Sequence, residues 1–144
     1  MLVEYKRLLV AMDGSPQSEK AYLEATSIAK RNKSKEFLTW IINDSEFSTT
    51  DPTYTGLLNE EKVRVEEMIA NRIHEMQEAG VEDIEAVIEM GAPKQMLATE
   101  LPARYDIDLI IMGSTGKDSV QQMLVGSTTS YVVNQAPYNV MVIK

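Results

Sequence analysis

The sequence contains no cysteine, which removes disulfides, thiolate metal sites, cysteine nucleophiles and dithiol redox chemistry together. Its single histidine, His74, has no second imidazole for a metal cluster, and its place beside Ile73 on a charged helical stretch predicts a surface position. No apolar run approaches the roughly 18 to 20 residues needed to cross a bilayer. The opening Met1-Leu2-Val3-Glu4-Tyr5-Lys6-Arg7 also lacks the charged-then-apolar order of a signal peptide, so a cytoplasmic protein without membrane contact is expected. Positive charge is scarce, with 14 Lys and Arg against 22 Asp and Glu, a net charge of -8. Nucleic-acid affinity draws on clustered cations, so that role is not expected. The densest basic stretch, Lys30-Arg31-Asn32-Lys33, reads as the cationic carboxyl end of a helix.

What is present fits one α/β domain spanning residues 1–144. Lys6 to Met12 is a short apolar run stopped by Asp13-Gly14-Ser15-Pro16, which predicts a buried strand, a turn and a helix with proline in its first turn. Ala21, Ala25, Ile28 and Ala29 recur at helical spacing. Phe37 to Ile42 is a second apolar run, and Asn43 to Gly56 is the longest polar loop candidate. Leu58, Val65, Ile69, Ile73 and Met76 stripe a long helix that ends near Ala79-Gly80. Ile84 to Met90 is a third strand, and Gly91-Ala92-Pro93 opens a helix running to Tyr105 that Pro102 should kink or shorten. Leu109 to Met112 and Val140 to Ile143 complete five strands. Uninterrupted apolar strands alternating with helices predict an open parallel sheet, covered on both faces and joined by right-handed crossovers. Ligands of such sheets bind at the carboxyl ends of the strands where strand order reverses, which directs attention to Asp13-Gly14-Ser15 and Gly113-Ser114-Thr115-Gly116.

Three of the seven glycines, Gly113, Gly116 and Gly126, fall within a short span after the fourth strand. Gly113 and Gly116 would let backbone amides approach an anion closely, and Gly126-Ser127-Thr128 begins a helix whose free N–H groups suit a phosphate. The hydroxyls of Ser127 and Thr128 would cap that helix or donate to phosphate oxygens. The alternative is plain turn punctuation with Ser127 as an ordinary N-cap. A Walker loop is absent, because Gly116-Lys117 is followed by Asp118, and there is no Gly-x-Gly-x-x-Gly. Asp13 reads from the sequence as the residue that starts a turn. Trp40, Met68 and Met76 read as core.

Gly113-x2-Gly116-x9-Gly126-Ser127 resembles the Gly-x2-Gly-x9-Gly-Ser/Thr pattern of the ATP-binding branch of the universal stress protein family. The likeness extends over nearly the whole chain, through Ala11-Met12-Asp13-Gly14-Ser15, Gly91-Ala92-Pro93, Asp108 to Ser114, and Ala136-Pro137-Tyr138-Asn139-Val140-Met141-Val142-Ile143. It implies a Rossmann-like, adenine nucleotide α-hydrolase-like sheet in the order 3-2-1-4-5, with ATP at the carboxyl edge. It further implies a homodimer through the last strand, Tyr138 to Ile143. Carried over by position, the likeness puts Asp13 near the phosphates and a possible Mg2+, and Ala11 by the nucleotide. Ile41 would contact adenine through its backbone, with Trp40 then beside the bound base as the alternative to its core reading, and Met112 and Gly113 would lie by base and ribose. Gly116, Gly126, Ser127 and Thr128 would take ribose and phosphates. Asp118, Gln121 and Gln122 depart from the loop common in the family. The leading expectation is a nucleotide-dependent regulatory protein with a protein partner left unidentified. A slow Mg-dependent ATPase or phosphotransferase, for which Lys117 is a candidate near the γ-phosphate, and a nucleotide-free dimeric scaffold are the alternatives. A phosphoreceiver ranks last, because the third strand ends in Met90-Gly91 with no carboxylate cluster.

Overall fold

The computed structural model describes residues 3–44, 54–115 and 125–144. Five strands, β1 (Arg7–Met12), β2 (Lys35–Ile42), β3 (Ile84–Met90), β4 (Leu109–Gly113) and β5 (Asn139–Ile143), form one sheet in the order β3-β2-β1-β4-β5. Every neighbouring pair is parallel, with Val10 opposite Leu38 on one side and Ile111 on the other. Strand alternation divides the core in two. Leu8, Val10, Met12, Leu38, Trp40, Ile42 and Ile111 meet α1 (Pro16–Asn32) and α2 (Tyr54–Glu78) on one face. Leu9, Phe37, Ile110 and Met112 meet the opposite layer, with Met96, Leu101 and Val132. Both faces are covered, which is why the central strands carry apolar runs without alternation.

Local chemistry accounts for the helix ends. Ser15 caps α1 by accepting the Ser18 N–H at 3.1 Å, Pro16 follows it, and Lys30 and Arg31 occupy the last turn. The basic stretch is therefore the end of a helix, closed by Lys33 in the left-handed region at φ 53. In α2, Val65, Ile69 and Met76 are buried while His74 is exposed and pairs with Glu78 at 3.0 Å. The helix begins at Tyr54, taking in the end of the expected Asn43–Gly56 loop, most of which lies outside the described residues.

Pro102 does not break the third helix. α3 (Pro93–Gln95) passes into a π-helical turn at Met96–Glu100 and then α4 (Leu101–Arg104), with the Leu101 N–H donating to the Met96 carbonyl. Proline at position 102 has no N–H for the carbonyl of Ala98, and the widened turn absorbs the lost bond. The last helix, α5 (Ser127–Gln135), leads into β5 at the sheet edge.

Candidate functional site

The chain leaves β3 at one edge and returns to β4 on the other side of β1, so strand order reverses between β1 and β4. That reversal leaves a crevice beyond their carboxyl ends. On the sheet face shared with Leu9 and Phe37, burial falls off toward this edge. Leu9 and Phe37 are fully buried, whereas Ala11 and Ile41, two and four residues further along their strands, are half-buried. Met112 of β4 flanks them on the same face. Of the apolar floor these three side chains form, Ala11 and Ile41 are the part that the helices above do not fully cover, and Met112 beside them is buried.

Asp13 stands at the end of β1, where the pairing of Met12 with Trp40 sets it beside Ile41. Its Oδ1 accepts the Ser15 N–H at 2.9 Å, and its own N–H is 3.4 Å from the Ser18 hydroxyl. The turn-forming role of Asp13 is thus present in the structure. Gly14, at φ 83, completes the turn, and a side chain there would also meet the Trp40 ring at 3.2 Å. Trp40 is buried on the α1/α2 side, on the opposite sheet face from Ala11 and Ile41, in line with its core reading. Arg64 of α2 lies over its ring at 5.7 Å.

The rim is the start of α5. The Gly126 N–H donates to the Ser114 carbonyl at 2.7 Å, the Ser114 N–H to the Ile143 carbonyl at 2.8 Å, and the Thr129 hydroxyl to the Gly113 carbonyl at 2.7 Å. Together these bonds pin the helix onto the ends of β4 and β5. Gly126 is the N-cap residue, in extended conformation, and among the described residues no side chain caps the helix. This corrects the reading of Ser127 as the cap: Ser127 is the first helical residue and is exposed, and Thr128 beside it is half-exposed. The first-turn N–H groups have no intrahelical acceptors, and the helix dipole adds positive potential there. The start of α1 differs, since Ser15 already satisfies one of its donors.

Gly113 lacks a side chain for a reason that lies in the packing of the fold. A Cβ at this position would stand 2.7 Å from the backbone carbon of Gln17, so the first turn of α1 occupies the space. Its backbone still lies at the crevice through the Thr129 bond. Gly116, and the span from Lys117 through Gln122, lie outside the described residues. The structure therefore brings Ala11, Asp13, Ile41, Met112, Gly113, Gly126, Ser127 and Thr128 to one edge of the sheet. Thr129 was not singled out from the sequence. Its signal is the hydroxyl run Ser127-Thr128-Thr129-Ser130, of which helical geometry turns only Thr129 toward β4.

Comparison with known proteins agrees with this architecture. The model of the universal stress protein family matches residues 4–144. A Staphylococcus aureus protein named as a universal stress protein is 32% identical over 144 residues, covering 99% of this chain and 86% of that protein. Among solved structures, the universal stress protein UspA from Lactobacillus plantarum superposes with a TM-score of 0.92 at 32% identity, covering 99% of this chain and all of that one. The hypothetical protein MJ0577 superposes at 0.89 with 25% identity over 99% and 97% of the two chains. A universal stress protein in complex with cAMP shares the fold at a TM-score of 0.67 and 24% identity, over 99% and 98%. By family match and fold, this chain belongs to the universal stress protein family.

Proposed function

We propose that this chain is a cytoplasmic adenine-nucleotide-binding regulatory module, acting as a homodimer through β5. The observation that carries the reading is the pairing of an apolar, half-open floor with a helix start that no side chain among the described residues caps. The floor of Ala11, Ile41 and Met112 suits the flat apolar body of a base. The first-turn N–H groups of α5, with the hydroxyls of exposed Ser127 and half-exposed Thr128, suit phosphate oxygens. Asp13 and Gly116 complete the proposed set, with Asp13 the candidate for contact with an accompanying Mg2+. ATP is the proposed nucleotide, on the glycine pattern set out above. The cAMP-bound universal stress protein, alike in fold, carries an adenine nucleotide of a different kind.

A contrast between the two sheet edges supports the dimer. β3 carries Glu85 and Glu89, paired with Lys35 and Arg104, and such charges discourage strand addition. β5, Asn-Val-Met-Val-Ile, carries no charge, and its apolar side chains are half-exposed. An unpaired apolar edge is ready to join another strand.

The test is to denature the purified protein, identify any released nucleotide by chromatography, and titrate the stripped protein with Mg-ATP in a calorimeter. Stoichiometric binding is expected, lost in Gly126→Val, because a branched side chain at the N-cap blocks approach to the α5 amides. Unchanged affinity in that variant would remove the phosphates from this helix. Turnover of bound ATP, abolished by Asp13→Ala, would replace the regulatory reading with the ATPase one.

A further inference from the structure

Glu36 is the second residue of β2 and lies between Leu8 of β1 and Ile84 of β3 in the sheet register. Alternation sends its side chain to the face of Leu38, Trp40 and Ile42, under α1 and α2. The residue has no solvent exposure, and neither carboxyl oxygen has a hydrogen-bond partner among the described residues.

The charged groups around it are committed elsewhere. On α1, Tyr22 directs its hydroxyl to the Arg72 carbonyl at 3.0 Å and to Glu75 Oε2 at 3.2 Å. Glu19 of α1 and Glu75 of α2 are both held by the Arg72 guanidinium. His74 of α2 points outward to Glu78. On the strands, Lys35 pairs with Glu85, and Arg7 donates to the Tyr105 carbonyl. Both of those cations lie over the ring of Phe37, on the other face of the sheet. Lys6 reaches the Asn32 carbonyl and Glu4.

An ionised carboxylate in such a place is an uncompensated charge among hydrocarbon. We propose that Glu36 is a proton-dependent latch: as a neutral acid it lets α1 and α2 close over β2, and its deprotonation at alkaline pH weakens that closure. Burial pushes its carboxyl up to about 8 from the ordinary 4.5. Because the folded value is raised, the folded state holds the proton across an interval in which the unfolded chain has released it. The stability contributed is complete below about 4.5, is lost progressively as pH rises, and is gone above about 8. In the steepest part, one proton changes the folded-to-unfolded ratio by about tenfold per pH unit.

The test is urea unfolding of the full chain and of Glu36→Gln from about pH 5 to about pH 9. The wild-type folded-to-unfolded ratio should fall relative to the variant by several-fold per pH unit around neutrality. Parallel profiles would overturn the proposal. A second reading needs no variant. The infrared carbonyl stretch of a protonated carboxyl should be present in the wild-type protein at neutral pH, where exposed Asp and Glu contribute none, and should vanish in alkali. Its absence at neutral pH would overturn the latch even if Glu36→Gln fails to fold, and neither measurement depends on nucleotide.

Discussion

The Thr129 hydroxyl donates to the main-chain carbonyl of Gly113 across 2.7 Å, joining the first turn of α5 to the last residue of β4. Both partners are buried, so the bond is shielded from water. It fixes the helix start relative to the sheet edge, which determines where the free N–H groups point. Thr129→Val removes the donor while keeping the shape, leaving the carbonyl unpaired at a cost of about 1 to 3 kcal/mol. Urea unfolding should show that loss, calorimetry a weaker affinity for the proposed ligand Mg-ATP, and Thr129→Ser should recover most of both. Equal behaviour of the Val and Ser variants would mean that the hydroxyl does not position the helix.

Gly113 illustrates a different constraint. Its missing Cβ makes room for the backbone of Gln17, and a backbone cannot swing aside as a flexible side chain can. Gly113→Ala therefore forces α1 and β4 apart and should destabilise the chain by about 1 to 3 kcal/mol, the range for overpacking a filled interior. Thermal or urea unfolding reads this directly, and an unchanged midpoint would show that α1 shifts without cost.

The β5 edge gives a prediction about assembly. Val142 is half-exposed and uncharged, and it pairs with Met112 on the inner side only. Val142→Lys places a charge on the proposed contact. Sedimentation should show a dimer for the wild-type chain and a monomer for the variant, with unchanged circular dichroism. A dimer that survives the lysine would place the contact elsewhere.

Much of this architecture was legible from residue order. The runs Leu8 to Met12 and Leu109 to Met112 are apolar without alternation because both sheet faces are covered, and covering helices leave no solvent side to mark with polar residues. Ser15-Pro16 opened a helix and the Lys30-Arg31 pair closed it, since capping and dipole effects act within a turn of chain. Pro102 was legible as a disturbance. Its form as a π-helical turn was not, because Met96, Leu97 and Leu101 are held by the sheet face and their burial favours one continuous helix over a break.

The candidate site divides in the same way. The glycine and hydroxyl pattern from Gly113 to Ser130 pointed to the carboxyl edge, yet it did not separate Gly126 as cap from Ser127 as first helical residue. Nor did it show that Gly113 is a glycine on account of Gln17, nearly a hundred residues earlier in the chain. Such facts depend on how elements distant in sequence approach each other.

By itself the sequence determined the succession of strands and helices, the ends of α1 and the place of the glycine- and hydroxyl-rich segment after β4, because propensity, capping and hydrophobic period are local. Only the tertiary structure decided that Thr129 faces β4, that Trp40 turns away from the crevice, and that Glu36 is sealed in the core. An acidic residue at the start of a strand reads as a solvated boundary until Leu8, Ile84 and two helices close around it. Burial is a property of what the rest of the chain places nearby, and that information is spread over the whole molecule.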